Sequence, residues 1–266
     1  MDKRSFVRSM SVLLTLITIF SVTASASYGQ KKKKKKKVNL DETTFPIKPQ
    51  PAECKQFKKI GDCPDVGCGA KPAEELLNQR KNIPTADLAS ATNRQFDSLR
   101  KKTMPAGFTY GGSRDVLTES GEGDVVRIVA WLTNIRVGSQ ETCNCKLWLA
   151  KDTDNHMVLI NDYVINHYKP ADWEKHSFTA EFAPRVKKDH PKFKRSVILP
   201  LIRTDPRKRL KVRLTGTLLF DDYHQFHNPL KRETNWEVHP VFRFEYCPAL
   251  NKCTLNSDDG WVDIDG

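Results

Sequence analysis

The chain has 266 residues, of which 38% are hydrophobic and 29% are charged, and its formal net charge is +12. This length is typical of one ordinary domain with attached segments. The charge is concentrated near the start: residues 1–26 contribute +2 and seven consecutive lysines contribute +7, which leaves +3 for the residues from Val38 onward. The folded part is therefore only mildly basic, and the total charge does not by itself indicate a nucleic-acid-binding protein.

Residues 1–30 have the three parts of a secretory signal. A basic start precedes a mostly apolar run at residues 10–22, and the small residues Ala24, Ser25 and Ala26 form a cleavage site. The apolar run is much shorter than the roughly 20 residues that a membrane-spanning helix needs. We therefore predict a cleaved signal peptide at residues 1–26 and an exported protein, periplasmic or extracellular.

The seven lysines from Lys31 to Lys37 lie in a segment, residues 27–50, that we predict to be a disordered leader and linker. Like charges repel one another, and the linker that follows shows no hydrophobic periodicity. A cationic segment can bind an anionic surface by screened attraction. An anionic envelope polymer or nucleic acid is therefore a candidate partner of the lysines, and a plain flexible leader is the alternative.

Seven cysteines follow the predicted signal, and in an oxidising compartment all are disulfide candidates: Cys54, Cys63, Cys68, Cys143, Cys145, Cys247 and Cys253. An odd number leaves at least one thiol free or paired elsewhere, and the sequence does not choose the pairing. A zinc site is the alternative, with ligands drawn from Cys63, Cys68, Cys143, Cys145, Asp152, Asp154 and His156. The cysteine spacings fit the usual Cys-x₂-Cys pairs poorly, so we favour disulfides.

Residues 51–115 are predicted to be a Cys-rich loop followed by helices at residues 72–82 and 87–101, and residues 116–253 a β-domain. Strands are predicted at residues 124–137, 145–150, 156–160, 177–183, 210–220 and 236–246, with one helix within residues 185–203. Residues 254–266 form an acidic tail that we expect to be a frayed end, and the alternative is that its four aspartates fold back on basic residues. This order predicts a mainly β fold, an OB-type small β-barrel of about five strands with a helix between strands three and four.

Four blocks of the sequence resemble a bacterial group of secreted proteins of uncharacterised function. They are CPDVGCG with ELLNQRKN, GDVVRIVAWL, ETCNC with DNHMVL, and TNWEVHPVFRFEYC. The resemblance covers about residues 54–247, and its most specific part is the Trp-Glu-Val-His-Pro strand. It implies an OB-like β-barrel domain and an extracytoplasmic location, and it implies no catalytic residues.

The segment between and within the last two predicted strands holds the richest set of candidate ligand side chains: Asp221, His224, His227, Asn228, Glu237 and His239. Imidazoles and carboxylates brought together can bind zinc or another divalent cation, which can activate a water for hydrolysis. The competing interpretation is structural support. In it, the His239 imidazole makes a backbone hydrogen bond and Glu237 pairs with Arg243 or Lys211. We favour this interpretation for the cluster.

An OB-type barrel can also bind single-stranded nucleic acid by aromatic stacking beside basic side chains. The candidates are Trp131, Trp148, Phe178, Phe182 and Phe220 with Arg127, Lys146, Lys211 and Arg213. In small barrels most such aromatic residues belong to the core. The sequence also lacks the nucleotide-binding and serine-hydrolase signatures. We therefore predict a binding or structural module of unknown ligand, with a metal-dependent hydrolase (for example a nuclease) and single-strand binding as alternatives.

Overall fold

The computed structural model describes residues 77, 79–81, 83, 85–141, 152–227, 232–249 and 252–266. All of them lie within one compact unit, Asn39–Gly266. The predicted signal peptide, the lysine leader, five of the seven cysteines and the predicted strand at residues 145–150 lie outside the described residues.

Seven strands form one sheet in the described part: β1 (Thr92–Asn93), β2 (Val125–Glu141), β3 (Asp152–Ile160), β4 (Phe178–Phe182), β5 (Leu210–Phe220), β6 (Trp236–Tyr246) and β7 (Val262–Asp263). Five of them pair in the order β2-β3-β4-β6-β5, and β5 pairs back with β2, which closes a barrel. The β4–β6 pair is parallel and the other barrel pairs are antiparallel. The predicted mainly β fold with an OB-type small barrel is confirmed.

From Phe96 onward, the described part contains six short α-helices: α1 (Phe96–Arg100), α2 (Asp115–Glu119), α3 (Asp162–His167), α4 (Pro184–Asp189), α5 (Arg195–Thr204) and α6 (Asp222–Phe226). Two 3-10 helices cover Leu88–Ser90 and Pro170–His176, and Leu77 with residues 79–81 is helical. Both α4 and α5 lie between the third and fourth barrel strands, where the OB-type order places a helix. Their buried side chains, among them Val186, Ile198 and Ile202, join the barrel core.

Two helix predictions need correction. The short helix predicted within residues 185–203 is present as α5, but a second helix, α4, precedes it, because His190 before Pro191 adopts a non-helical backbone. The helix predicted at residues 87–101 is shorter and begins at Phe96. Thr92 and Asn93 instead pair in parallel with Val126 and Arg127 of β2, so tertiary pairing overrides the local helical spacing.

The C-terminal segment folds back on the barrel, and the expectation of a frayed end is wrong. β7 pairs with β6, Arg243 Nε donates to Asp263 Oδ2 at 3.0 Å, and Arg213 Nη1 donates to the Ser257 carbonyl at 2.9 Å. A disulfide joins Cys247 to Cys253 just before this segment. The basic residues of β5 and β6 thus supply the partners that hold the acidic segment.

The Ile264→Ala variant should lower the free energy of unfolding by about 2–4 kcal/mol, because truncating a buried aliphatic side chain leaves a cavity. Ile264 is buried in the barrel core, whereas its neighbour Val262 is exposed. Urea unfolding of both variants measures the difference. Val262→Ala is the matched control and should change stability little. Equal small losses in both variants would show that the C-terminal segment does not contribute to the core.

Candidate functional site

Five polar side chains from three neighbouring strands meet on the outer face of the barrel, and we call them the histidine–carboxylate cluster: Asp154, His156, Glu181, Glu237 and His239. Because side chains alternate along a strand, they point away from core neighbours such as Met157, Phe182 and Val238. The pairing register brings them together. His156 of β3 lies directly opposite Glu181 of β4, and the parallel pairing of Thr179 with Glu237 carries Glu181 towards His239.

The cluster consists of two triads that share Glu181. In the outer triad, His156 Nε2 lies 3.0 Å from Asp154 Oδ2 and 3.2 Å from Glu181 Oε1. In the inner triad, His239 Nδ1 lies 2.9 Å from Glu181 Oε2 and 3.2 Å from Glu237 Oε1. Each triad therefore places one imidazole nitrogen between two carboxylate oxygens.

The two triads differ in their access to solvent. The side chains of Asp154, Glu181, Glu237 and His239 are all buried, whereas His156 is 32% exposed. Among the residues of the cluster, His156 is thus the one whose side chain solvent reaches. The inner triad is closed and the outer triad is partly open.

The carboxylates of the cluster favour the protonated, positively charged forms of the two imidazoles. Burial alone would lower the pKa of His239, but the charges and hydrogen bonds of Glu181 and Glu237 outweigh it and raise the pKa well above its usual value. Burial also acts to lower the pKa of His156, yet the charge of Glu181 and the hydrogen bond to Asp154 raise it to about 9. Three carboxylates in so small a volume require compensating cations.

Two buried atoms of the cluster residues, Asp154 Oδ1 and His239 Nε2, have no hydrogen-bond partner within the described part of the chain. Buried polar atoms in proteins are almost always paired, and an ion or an ordered water is a common explanation for an exception. The donor spacings also suit a metal, since ligands about 2.0–2.2 Å from a zinc ion lie roughly 3 Å from one another. The residues present therefore fit a divalent cation.

Arg232 separates the cluster from a second polar pair. Its Nη2 lies 3.2 Å from Glu237 Oε2 and 3.8 Å from Asp221 Oδ2, and its Nη1 donates to Thr179 Oγ1. Asp221 caps α6 and contacts the His224 imidazole. Burial acts to raise the pKa of Asp221, but the His224 hydrogen bond and nearby cations hold it below its usual range.

The candidate ligands named from the sequence thus divide into groups. Glu237 and His239 lie in the cluster, while Asp221 and His224 form the separate pair beside Arg232. His227 packs between the rings of Tyr110 and Tyr223, and Asn228 lies outside the described residues. Asp154 and His156 were named only for a cysteine-based site, and Glu181 was not named at all.

The structural interpretation of the cluster stays a prediction, but the partners predicted for His239 and Glu237 are wrong. His239 Nδ1 faces carboxylates rather than a backbone carbonyl, and Glu237 contacts Arg232. Arg243 pairs instead with Glu245 and Asp263. Glu181, Glu237 and His239 are polar side chains between apolar neighbours, whereas Asp154 lies between the polar residues Thr153 and Asn155.

The aromatic residues predicted to stack on a single strand belong largely to the interior. Phe178, Phe182 and Phe220 are buried in the core, and Trp131 is buried beneath the guanidinium of Arg209. Arg213 is also buried, bound to Glu245 at 2.6 Å. Trp148 and Lys146 lie outside the described residues. The described members of that set therefore do not form a stacking surface.

No family model, no curated protein and no solved structure matches this chain. The resemblance carried by the four sequence blocks stays a prediction. Among the described residues, every helix falls short of the length and apolarity needed to cross a bilayer.

Proposed function

We propose that this protein is an exported β-barrel module that binds a divalent cation through Glu181, Glu237 and His239. The observation that carries the proposal is the inner triad itself. His239 Nδ1 lies within 3.2 Å of an oxygen from each glutamate, and all three side chains are buried. A buried site of converging nitrogen and oxygen donors is what a protein-bound zinc ion requires.

Charge supports this proposal. With neutral imidazoles, Asp154, Glu181 and Glu237 place three negative charges in a buried cluster, and Arg232 beside Glu237 offsets one of them. Two protonated imidazoles or one divalent cation supply the same compensating charge. An ion-pair network, in which the imidazoles are protonated, is therefore the alternative.

The donor set narrows the choice of cation. Imidazole suits zinc and other first-row metals, and carboxylates suit harder cations such as manganese. The described cluster contains no thiolate, which a soft cation such as Cu⁺ prefers. Zn²⁺ is therefore the first ion to test and Mn²⁺ the second.

Purified protein should contain at least one equivalent of zinc, and both His239→Ala and Glu237→Gln should lose the equivalent that the inner triad binds. Zinc at about 100 times its dissociation constant should stabilise the fold by about 2.7 kcal/mol, which raises the thermal midpoint by about 5–10 °C. Elemental analysis and thermal unfolding with and without chelator measure these effects. Metal-free protein whose thermal midpoint is the same with added zinc and with chelator would contradict the proposal.

We further propose, on the sequence alone, that the lysines from Lys31 to Lys37 hold the module on an anionic envelope polymer or nucleic acid. Deleting these seven lysines should abolish binding to a polyanion such as heparin, because the rest of the chain carries little net charge. Binding of the intact chain should fall steeply as salt rises. Salt-insensitive binding, or binding retained after the deletion, would overturn this mechanism.

Metal-assisted hydrolysis is the second candidate function, and the partial exposure of His156 favours it. A hydrolytic metal site needs an open position that water and substrate can reach. When bound, a cation in the cluster would lower the pKa of a coordinated water. With a single cation bound in the inner triad, Asp154 and His156 of the outer triad would orient that water and accept its proton.

A further inference from the structure

The two oxygens of Glu181 face different imidazoles. Oε1 lies 3.2 Å from His156 Nε2, and Oε2 lies 2.9 Å from His239 Nδ1. A carboxylate that presents one oxygen to each of two donor sets is placed to bridge two cations. A single bound ion would use only one side of this arrangement.

We infer that the cluster holds a second divalent cation, bound by Asp154, His156 and the shared Glu181, so that Glu181 bridges two ions. The inference rests on the proposed function, because it extends the same site. Paired metal ions in enzymes lie about 3.5–4 Å apart, a separation that one carboxylate spans. All three donor atoms of the outer triad lie within 4.8 Å of one another, as do those of the inner triad.

Asp154 supplies an observation that does not depend on Glu181. Its Oδ2 contacts His156, whereas its Oδ1 is buried and has no hydrogen-bond partner among the described residues. An unpaired carboxylate oxygen of this kind is costly to bury unless a cation or water takes its free lone pairs. The outer triad therefore has a donor atom of its own that the inner triad does not use.

Gly138 of β2 leaves space beside Asp154 and His156, because glycine has no Cβ. A Cβ on Gly138 would lie 1.7 Å from Asp154 Oδ1 and 2.5 Å from His156 Nε2. The glycine sits at an irregularity in the pairing of β2 with β3, between Val137 and Gln140. Any side chain there would occupy the point on which the free oxygen of Asp154 and the nitrogen of His156 converge.

The net charge of the cluster differs between a site with two bound cations and a site with one. Two divalent cations and the guanidinium of Arg232, which pairs with Glu237, leave two net positive charges against the three carboxylates when both imidazoles are neutral. An anion such as hydroxide can reduce that charge from the side on which His156 is exposed. We therefore place the second ion in the outer triad, which is partly open, and the first ion in the inner triad, which is closed.

The test is a zinc titration of the full mature chain after removal of metal with chelator, followed by elemental analysis of the dialysed protein. The wild type should bind two equivalents of zinc. Asp154→Asn and Glu237→Gln should each retain one, because each removes a ligand that only one ion uses. Glu245→Gln changes another buried glutamate of β6 that contacts Arg213, and it should keep both.

A wild type that binds one equivalent, retained in Asp154→Asn and lost in Glu237→Gln, would overturn the second ion and leave the proposed function intact. One equivalent that is lost in both variants would mean a single ion shared by all ligands, which also overturns the inference. No bound zinc in the wild type would overturn both. Gly138→Ala, which obstructs the outer triad without removing a ligand, should also retain one equivalent. Anomalous X-ray scattering should show two peaks about 3.5–4 Å apart in the wild type.

Discussion

The Glu181→Gln variant should lose divalent-cation binding at the cluster altogether. Glu181 is the one residue shared by both triads, and a neutral amide supplies neither its charge nor two equivalent oxygens. Even residues that only orient metal ligands typically cost about 10–100-fold in affinity when they are changed, so loss of a shared ligand should weaken binding by at least about 100-fold. Isothermal titration with Zn²⁺ and with Mn²⁺ measures the affinity.

Glu245→Gln is the matched control for this prediction. Glu245 is likewise a buried strand glutamate, but within the described part its ion-pair partners are the arginines Arg213 and Arg243 rather than an imidazole. Zinc affinity should be unchanged in the control. Undiminished affinity in a folded Glu181→Gln variant would show that the cluster does not hold the ion. Any metal-dependent hydrolysis of a model phosphodiester should disappear together with binding.

The Glu122→Ala variant should lower the free energy of unfolding by about 3–5 kcal/mol, the usual cost of removing one partner from a buried ion pair. Glu122 is fully buried, binds both Arg114 and Arg80, and accepts a hydrogen bond from the Phe220 backbone at 3.0 Å. Its removal leaves the buried Arg114 guanidinium with Asp222 as its remaining carboxylate, at 3.2 Å. Urea unfolding followed by circular dichroism measures the loss.

Glu119→Ala provides the control for this second prediction, because Glu119 is exposed and lies only three residues earlier in the chain. Its replacement should change the unfolding free energy by less than about 0.5 kcal/mol, as exposed substitutions usually do. A loss of similar small size in both variants would show that the buried arginines find other partners. Because the ion-pair partners of Glu122 are Arg80 and Arg114 and not residues of the cluster, zinc binding by the folded variant should persist.

The strands of the barrel could be predicted because their signal is local. In β5 and β6 apolar and polar residues alternate, and this period identifies a strand whatever its partner is. The position of a helical segment between β4 and β5 follows from the order of elements along the chain. Local patterns failed where a remote partner decided the outcome, as in the pairing of Thr92–Asn93 with β2 and of Val262–Asp263 with β6.

The residues of the candidate site also differ in whether a local pattern or a remote partner determines their position. Glu237 and His239 could be chosen from the sequence, because residues that are two positions apart on one strand lie on the same face. Glu181 could not, because nothing local indicates that β4 lies between β3 and β6 in the barrel. The parallel register of β4 with β6 is a long-range pairing, and a shift of one residue would have turned Glu181 into the core.

The sequence by itself determined the elements of this protein: alternating strands, their order, and a polar strand pair rich in ligand side chains. Only the tertiary structure decided which carboxylates reach which imidazoles. The physical reason is that alternation specifies the face on which a side chain lies, whereas strand order and register specify its neighbours. Barrel closure sets both, and it brings Asp154 and His156 to Glu237 and His239 around one shared glutamate.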